Sequence, residues 1–342
     1  MTSATDAPPG LDLDALGTWF ATAIPGAGDR LQATLIAGGR SNLTYAVADG
    51  AQEWVLRRPP LGHVLATAHD MGREFRVMSA LQDSGVPVPR TYALCSDPAV
   101  LGVDFYVMQR CIGIPYRSAG ELEGLGPDRT RVLSERLVDT LAALHAVDPA
   151  AVGLGDFGRP DGFLARQVRR WKTQLDASYS RELPVADELH RRLSDRVPPQ
   201  AATGLVHGDF RLDNVLVDDT DRLTAVLDWE MATLGDPLTD LALMVVYGRL
   251  GVAGLAGVSD AVAAPGFLGE RELVERYARH SGRDLSGFGF HLGLAGFKLA
   301  TILEGIHLRH SSGQTVGEGF DRIGDAVAPL LEASLDALGE TY

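Results

Sequence analysis

Cysteine is nearly missing from this chain: Cys95 and Cys111 are the only two in 342 residues. That is too few for a disulfide scaffold and fits a reducing compartment. Lysine is as scarce. Lys172 and Lys298 stand alone among 31 basic residues, a bias toward arginine that reads as the composition of a GC-rich genome rather than as chemistry. No apolar run reaches the roughly 20 residues that cross a bilayer, and the best, Leu238 to Tyr247, contains Asp240. The opening MTSATDAPPG has neither the basic start nor the apolar core of a secretory signal. These absences lead us to expect a cytoplasmic protein with no membrane partner. No His/Cys cluster has zinc spacing, and no internal repeat is visible.

Positive charge is also in deficit. The 31 basic residues face 45 acidic ones, for a net charge of −14, which argues against nucleic acid as a partner. With 45% hydrophobic and 22% charged residues the chain is an ordinary globular protein. Its length suits one large or two medium domains.

The most informative residues are His207 to Asn214, HGDFRLDN, followed by Asp228 in the run TAVLDWE. Between them Val215–Val217, an acidic turn at 218–221 and Leu223–Leu227 read as strand, turn and returning strand. Such a hairpin would bring Asn214 beside Asp228, with Asp209 just before them on a loop. Two carboxylates and an amide oxygen are hard ligands, suited to a magnesium ion that also holds phosphates. An Asp, an Asn five residues later and a second Asp match the kinase arrangement of acceptor-facing base and two metal ligands. The bland alternative is a solvated acidic hairpin, since Asp-rich turns are common.

HGD with Gly208 at its centre resembles the aminoglycoside-phosphotransferase superfamily of small-molecule kinases. The longer strings LVHGDFRLDNVLVDD and AVLDWEMATLGDPLTDLA are similar to one branch of it, the kinase-like domains fused to acyl-CoA dehydrogenases and their free-standing bacterial relatives. The likeness runs from about Ala37 to about Thr315. It implies a bilobal, protein-kinase-like α+β fold: a tail and short helix over 1–28, an N-lobe over 29–110 with an antiparallel sheet and one helix, and a mainly helical C-lobe over 111–342. It also implies ATP and magnesium as cofactors, with ATP in the cleft between the lobes.

The same likeness gives the remaining residues their roles. In the turn Ala37 to Asn42, the residues Gly39, Ser41 and Asn42 would cradle phosphate oxygens; Gly-Gly turns by themselves mostly just make hairpins. Trp54-Val55-Leu56-Arg57 occupies the place of Val-Ala-Ile-Lys in kinases. Arg57 therefore stands where a phosphate-gripping Lys is expected, and an always-charged, two-pronged Arg can keep that role. Glu74, on a helix read over Asp70 to Ser84, would be its partner. Strand Val103 to Met108 leads into the hinge, where the Gln109 carbonyl and Cys111 N–H would meet the adenine edge. Plain packing explains the Cys111 thiol better than a redox role. A helix from Leu133 to Val147 would bury His145 as a packed helix-end residue. Asp236-Pro237 reads as a helix start. Asp240 behind it would accept backbone N–H bonds and brace Asp209, while His207 fixes the loop and Glu230 supports the metal site. Only seven residues separate Asp228 from Asp236, which leaves no room for a long activation segment and disfavours a protein substrate.

Arg166, Arg169 and Arg170 lie at i, i+3 and i+4 on a candidate helix from Gly162 to Leu175. They are either a solvated, salt-bridged face or a clamp for an acidic acceptor. The expected function is transfer of the ATP γ-phosphate to a small-molecule hydroxyl, with a hydroxyacyl-CoA as candidate acceptor. One rival is a catalytically silent kinase-like module that binds nucleotide or acyl-CoA, motivated by Arg57 and opposed by the joint presence of Asp209, Asn214 and Asp228. Another is aminoglycoside phosphorylation, which rests on fold analogy.

Overall fold

The computed structural model describes residues 8–38, 42–61, 70–199, 203–255, 257–314 and 322–342. Contacts divide the chain into two compact units, Met1–Gly113 with Thr224–Glu230, and Ile114–Leu223 with Met231–Tyr342.

The first unit opens with helix α1 (Leu13–Ala23), capped by the Asp12 side chain on the N–H groups of Asp14 and Ala15. Strands β1 (Gln32–Gly38), β2 (Leu43–Ala48) and β3 (Glu53–Arg58) follow, then α2 (Met71–Leu81), β4 (Thr91–Cys95), the single-turn α3 (Pro98–Leu101) and β5 (Phe105–Gln109). They form one antiparallel sheet in the order β1-β2-β3-β5-β4. Period-two alternation decides its faces. Tyr45, Val47, Trp54, Leu56, Phe105 and Val107 point into one core together with Leu16 and Phe20 of α1. Thus α1, which the sequence set apart with the 1–28 tail, completes the sheet's hydrophobic core. Arg57 and Tyr106 are cross-strand neighbours on the opposite face, the one that meets α2.

Helix α2 ends three residues short of the expected Ser84, because Ser84 N–H turns back to the Leu81 carbonyl and Gly85 adopts φ +83°. Its start is as read, with Asp70 accepting from Arg73 N–H at 2.9 Å.

The second unit is mainly helical: α4 (Ala119–Glu123), α5 (Pro127–Ala146), α6 (Phe163–Asp176) and α7 (Pro184–Asp195) precede the short strands β6 (Gly204–Val206) and β7 (Val215–Val217). After the turn closed by Asp218 N–H on the Arg222 carbonyl, the chain enters β8 (Leu223–Val226), supplies 224–230 to the first unit, and returns through β9 (Thr233–Gly235). Helices α8 (Leu238–Val252), α9 (Glu270–Ser281), α10 (Phe288–Ser311) and α11 (Val327–Ala337) complete it. Strand β6 pairs antiparallel with β9, and α10 packs against α6, α8 and α11. A Cβ on Gly296 would stand 1.8 Å from Ser334 Oγ, so only glycine allows α10 and α11 this approach.

Two boundaries differ from the expected ones. Helix α5 starts at Pro127, six residues before Leu133, because Gly126 at φ +80° and Pro at the first helical position make a start signal of their own. Asp236 caps α8 through Leu238 N–H at 3.0 Å, with Pro237 still outside the helix. Among the described residues no helix is long and apolar enough to cross a membrane.

Candidate active site

In the second unit, β6 delivers the chain to His207, Gly208 and Asp209 on a buried turn. Gly208 has φ +88°, and a Cβ there would lie 2.7 Å from Met231 Cβ and 2.9 Å from the Met231 carbonyl oxygen. Backbone conformation and space both demand glycine. Asp240, wholly buried in the first turn of α8, holds this turn: Oδ2 accepts from His207 N–H at 2.6 Å and Oδ1 from Gly208 N–H at 2.7 Å. His145, the buried residue near the end of α5, backs Asp240 with Nε2 at 3.2 Å and meets the Tyr277 hydroxyl through Nδ1 at 2.7 Å. Burial works against the Asp240 carboxylate, yet the His145 bond and the neighbouring imidazoles outweigh it and hold its pKa below the ordinary value. Burial lowers His145 in turn.

The 3-10 turn Leu212–Asn214 brings Asn214 back onto the loop. Its Nδ2 donates to the Asp209 carbonyl and to Asp209 Oδ2, both at 2.9 Å, which leaves Oδ1 as the acceptor. The Asp209 backbone is held as well: its N–H donates to His207 Nδ1 at 3.2 Å. Three residues that the sequence did not single out surround Asp209. Arg211 lies 3.4 Å from Asp209 Oδ2 and 3.1 Å from Asp213 Oδ2, stacked 4.7 Å from the Tyr247 ring centroid. Burial, with Asp209 beside it, raises the Tyr247 hydroxyl above its usual range. Lys298 of α10 donates to the Gly208 carbonyl at 3.0 Å. Arg211 sits inside the HGDFRLDN motif and was within reach of sequence reading; Lys298, some ninety residues downstream, carried only the signal of its rarity.

In the first unit, Arg57 lies 3.2 Å from Glu74 Oε2, an ion pair without hydrogen-bond alignment, and 2.6 Å from Asp228 Oδ1. Tyr106 OH donates to Glu74 Oε2 at 2.9 Å. Asn42 Nδ2 donates to Glu74 Oε1 at 3.1 Å and to Glu230 Oε2 at 3.4 Å, while its buried Oδ1 has no partner among the described residues. Two carboxylates, Glu74 and Asp228, therefore share one guanidinium. Burial pushes Glu74 up to about 7, against the pull of Arg57 and the Tyr106 bond. Burial opposes the Arg57 charge, but Tyr106, Glu74 and Asp228 keep it above its ordinary pKa. Asp228 is held at φ +66°, a left-handed conformation that Asp tolerates and that often marks functional turns.

The other expected residues fall as follows. Gly39 and Ser41 lie outside the described residues. Asn42 turns inward to Glu74 and Glu230. Gln109 ends β5, exposed, with its N–H on the Arg90 carbonyl at 2.7 Å. Cys111 is a free thiol that burial pushes up to about 11, as packing rather than redox chemistry requires. On α6, Arg166 donates to the Asp161 and Arg159 carbonyls of its own loop. Arg169 and Arg170 are exposed, Arg170 lying 5.4 Å from the Trp171 ring centroid. The three arginines form no salt bridge among the described residues. No group of three or more His, Cys, Asp or Glu converges as a metal centre among the described residues.

Comparison with known proteins bears on family and fold. Residues 32–273 match the model of the phosphotransferase enzyme family, APH. A curated relative, acyl-CoA dehydrogenase family member 11 of Gallus gallus, is 37% identical over 309 residues, which is 87% of this chain but 39% of that protein. The chain thus spans about two fifths of the length of that relative. A crystal structure from Ralstonia eutropha JMP134, described as a candidate aminoglycoside phosphotransferase, is 32% identical with TM-score 0.85 and covers 97% of this chain and 99% of its own. A thermostable mutant of aminoglycoside phosphotransferase APH(4)-Ia, in a ternary complex with AMP-PNP and hygromycin B, shares the fold at TM-score 0.59 and 18% identity, with 91% of this chain and 95% of its own covered.

Proposed function

The chain belongs to the APH phosphotransferase enzyme family and is a small-molecule kinase with a hydroxyl acceptor; from that premise we propose that it moves the γ-phosphate of ATP to an acidic alcohol, with a hydroxyacyl-CoA as the leading candidate. The observation that carries the reading is the Asp209–Asn214 pair, braced from behind by Asp240 on two backbone N–H groups.

Asp209 orients the acceptor hydroxyl and takes its proton as the phosphoryl group arrives in line. Asn214 and Asp228 would hold a magnesium ion. The donor set fits, since the Asn214 amide nitrogen is spent on Asp209 and its oxygen remains, and the Asp228 carboxylate has a single side-chain partner among the described residues, Arg57. A magnesium ion held there would supply charge neutralisation for the phosphates. Arg57, steadied by Glu74, binds phosphate oxygens and stabilises the charge on the group in transfer. Glu74 is in turn fixed by Tyr106 and Asn42. His207 and Asp240 set the loop, and Glu230 supports Asn42. Backbone groups at Gln109 and Cys111 meet the adenine.

Support for an acyl-CoA acceptor comes from the relatives named as acyl-CoA dehydrogenase family members. An aminoglycoside is polycationic, and cations already stand at the loop, Arg211 beside Asp209 and Lys298 on the Gly208 carbonyl. The test is magnesium-dependent phosphate transfer from ATP to a panel of hydroxyacyl-CoAs, hydroxy acids and kanamycin-like compounds. Efficient transfer to the aminoglycosides with none to the acyl compounds contradicts the acceptor reading. The absence of any magnesium-dependent ATP turnover with a full panel favours a silent module instead.

A further inference from the structure

Lys298 is one of two lysines in a chain that otherwise carries its positive charge on arginine. The other, Lys172, is a surface residue paired with Asp176 and Asp187. Lys298 has no carboxylate within ion-pair distance among the described residues. Its Nζ donates to the Gly208 carbonyl at 3.0 Å and stands 5.6 Å from the Trp171 ring centroid. An ammonium has three N–H donors, so two remain without a protein acceptor among the described residues. Burial lowers its pKa, while Asp209 and Asp240 pull it back. Part of the residue nonetheless reaches solvent. Arg170 approaches the same indole from its own position on α6, its Cζ 5.4 Å from the centroid. A desolvated cation with unspent donors is costly unless something else supplies an oxygen.

We propose that Lys298 binds the acceptor, donating to a carboxyl-level oxygen next to the hydroxyl that Asp209 activates, with Arg170 adding positive potential across Trp171. The oxygen belongs either to the carboxylate of a hydroxy acid or to the thioester carbonyl of its CoA ester. Both are acceptors for an ammonium, and a plain alcohol has neither. This inference rests on the phosphotransfer reading and names the feature of the acceptor that this site selects. It also moves acceptor recognition from the outer face of α6, where Arg166 is spent on its own loop, to the junction of α6, α10 and the catalytic loop.

The test compares three probes: 3-hydroxybutyryl-CoA, 3-hydroxybutyrate and 1,3-butanediol, which keeps a hydroxyl and lacks the acyl oxygen. Calorimetric binding and phosphate transfer are measured on the full chain for wild type, Lys298→Met and Lys298→Arg. Binding of magnesium ATP reports whether each variant keeps its fold. Wild type is expected to bind at least one acyl probe well above the diol. Lys298→Met should weaken that probe about tenfold or more, the size of one charge-assisted hydrogen bond, through KM more than kcat, and Lys298→Arg should recover part of it. The probe that loses affinity identifies the source of the oxygen. Wild type binding neither acyl probe better than the diol overturns the proposal. So does a Lys298→Met loss equal for acyl probes and diol, or a fall in kcat with KM unchanged, which would make Lys298 a support for the loop. Phosphotransfer itself failing on every acceptor contradicts the kinase reading instead, and the calorimetric comparison still decides the role of Lys298.

Discussion

Arg57 Nη2 lies 2.6 Å from Asp228 Oδ1, so the cation proposed for phosphates holds the carboxylate proposed for the metal. Metal and guanidinium compete for one oxygen atom unless Arg57 shifts to the nucleotide. Arg57→Met should therefore act in opposite directions. Magnesium ATP should bind about tenfold or more weakly, for loss of a charge-assisted contact, while Mn2+ alone, followed by paramagnetic resonance, should bind more tightly. If both affinities fall together, Arg57 and the metal do not share Asp228.

The bracing of the catalytic loop gives a stability prediction. Asp240→Ala strips acceptors from the His207 and Gly208 N–H groups and a partner from His145, all buried. The expected cost is about 3 kcal/mol or more, read by chemical denaturation. A change under about 1 kcal/mol, within the range of ordinary surface substitutions, would mean that the loop does not depend on Asp240.

Gly208→Ala tests the same turn from the other side. Its φ of +88° and the 2.7 Å approach to Met231 Cβ leave no room for a methyl group without movement of β9's entry. Activity should fall by at least an order of magnitude with nucleotide affinity little changed, since the displaced group is the acceptor-facing Asp209. Wild-type turnover in the alanine variant would show that the turn tolerates what its geometry forbids.

Much of this site was legible because its chemistry lies in one stretch of sequence. HGDFRLDN places the proposed base, its brace and the proposed metal ligand within eight residues, and Asp240 follows one helix start later. Arg57 and Glu74 were legible by order along the chain, each being an ordinary residue by itself. What stayed hidden was assembled by tertiary packing. Lys298, Tyr247 and the His145–Tyr277 pair reach the loop from helices far apart in sequence, and no local pattern marks them. Helices α8 and α10 are apolar on every side, so periodicity gave no face to read. Strand β4 is five residues at the sheet's edge with alternate residues exposed, too short to stand out behind Pro87 and Pro89. The Arg166–Arg170 spacing was real, but spacing does not say that Arg166 turns back onto its own loop.

The buried acidic cluster carries a pH dependence. Glu74 has a folded pKa of about 7 against an ordinary value of 4.5, so folding favours its protonated form. Its contribution is fully present below about pH 4.5 and is lost as pH rises through about 7. In metal-free buffer with chelator, the melting temperature of wild type relative to Glu74→Gln should decline between pH 5 and pH 8. A constant difference across that window would mean that Glu74 stays ionised throughout.

The central claim is that Asp209 acts on the acceptor and not on the nucleotide. The most direct measurement is phosphate transfer by Asp209→Asn, with magnesium ATP affinity determined on the same sample. Transfer should drop by about 100-fold or more, in the range of a lost general base, while ATP affinity stays within a few-fold of wild type. Turnover near the wild-type level, or a loss explained wholly by weaker ATP binding, would contradict the account.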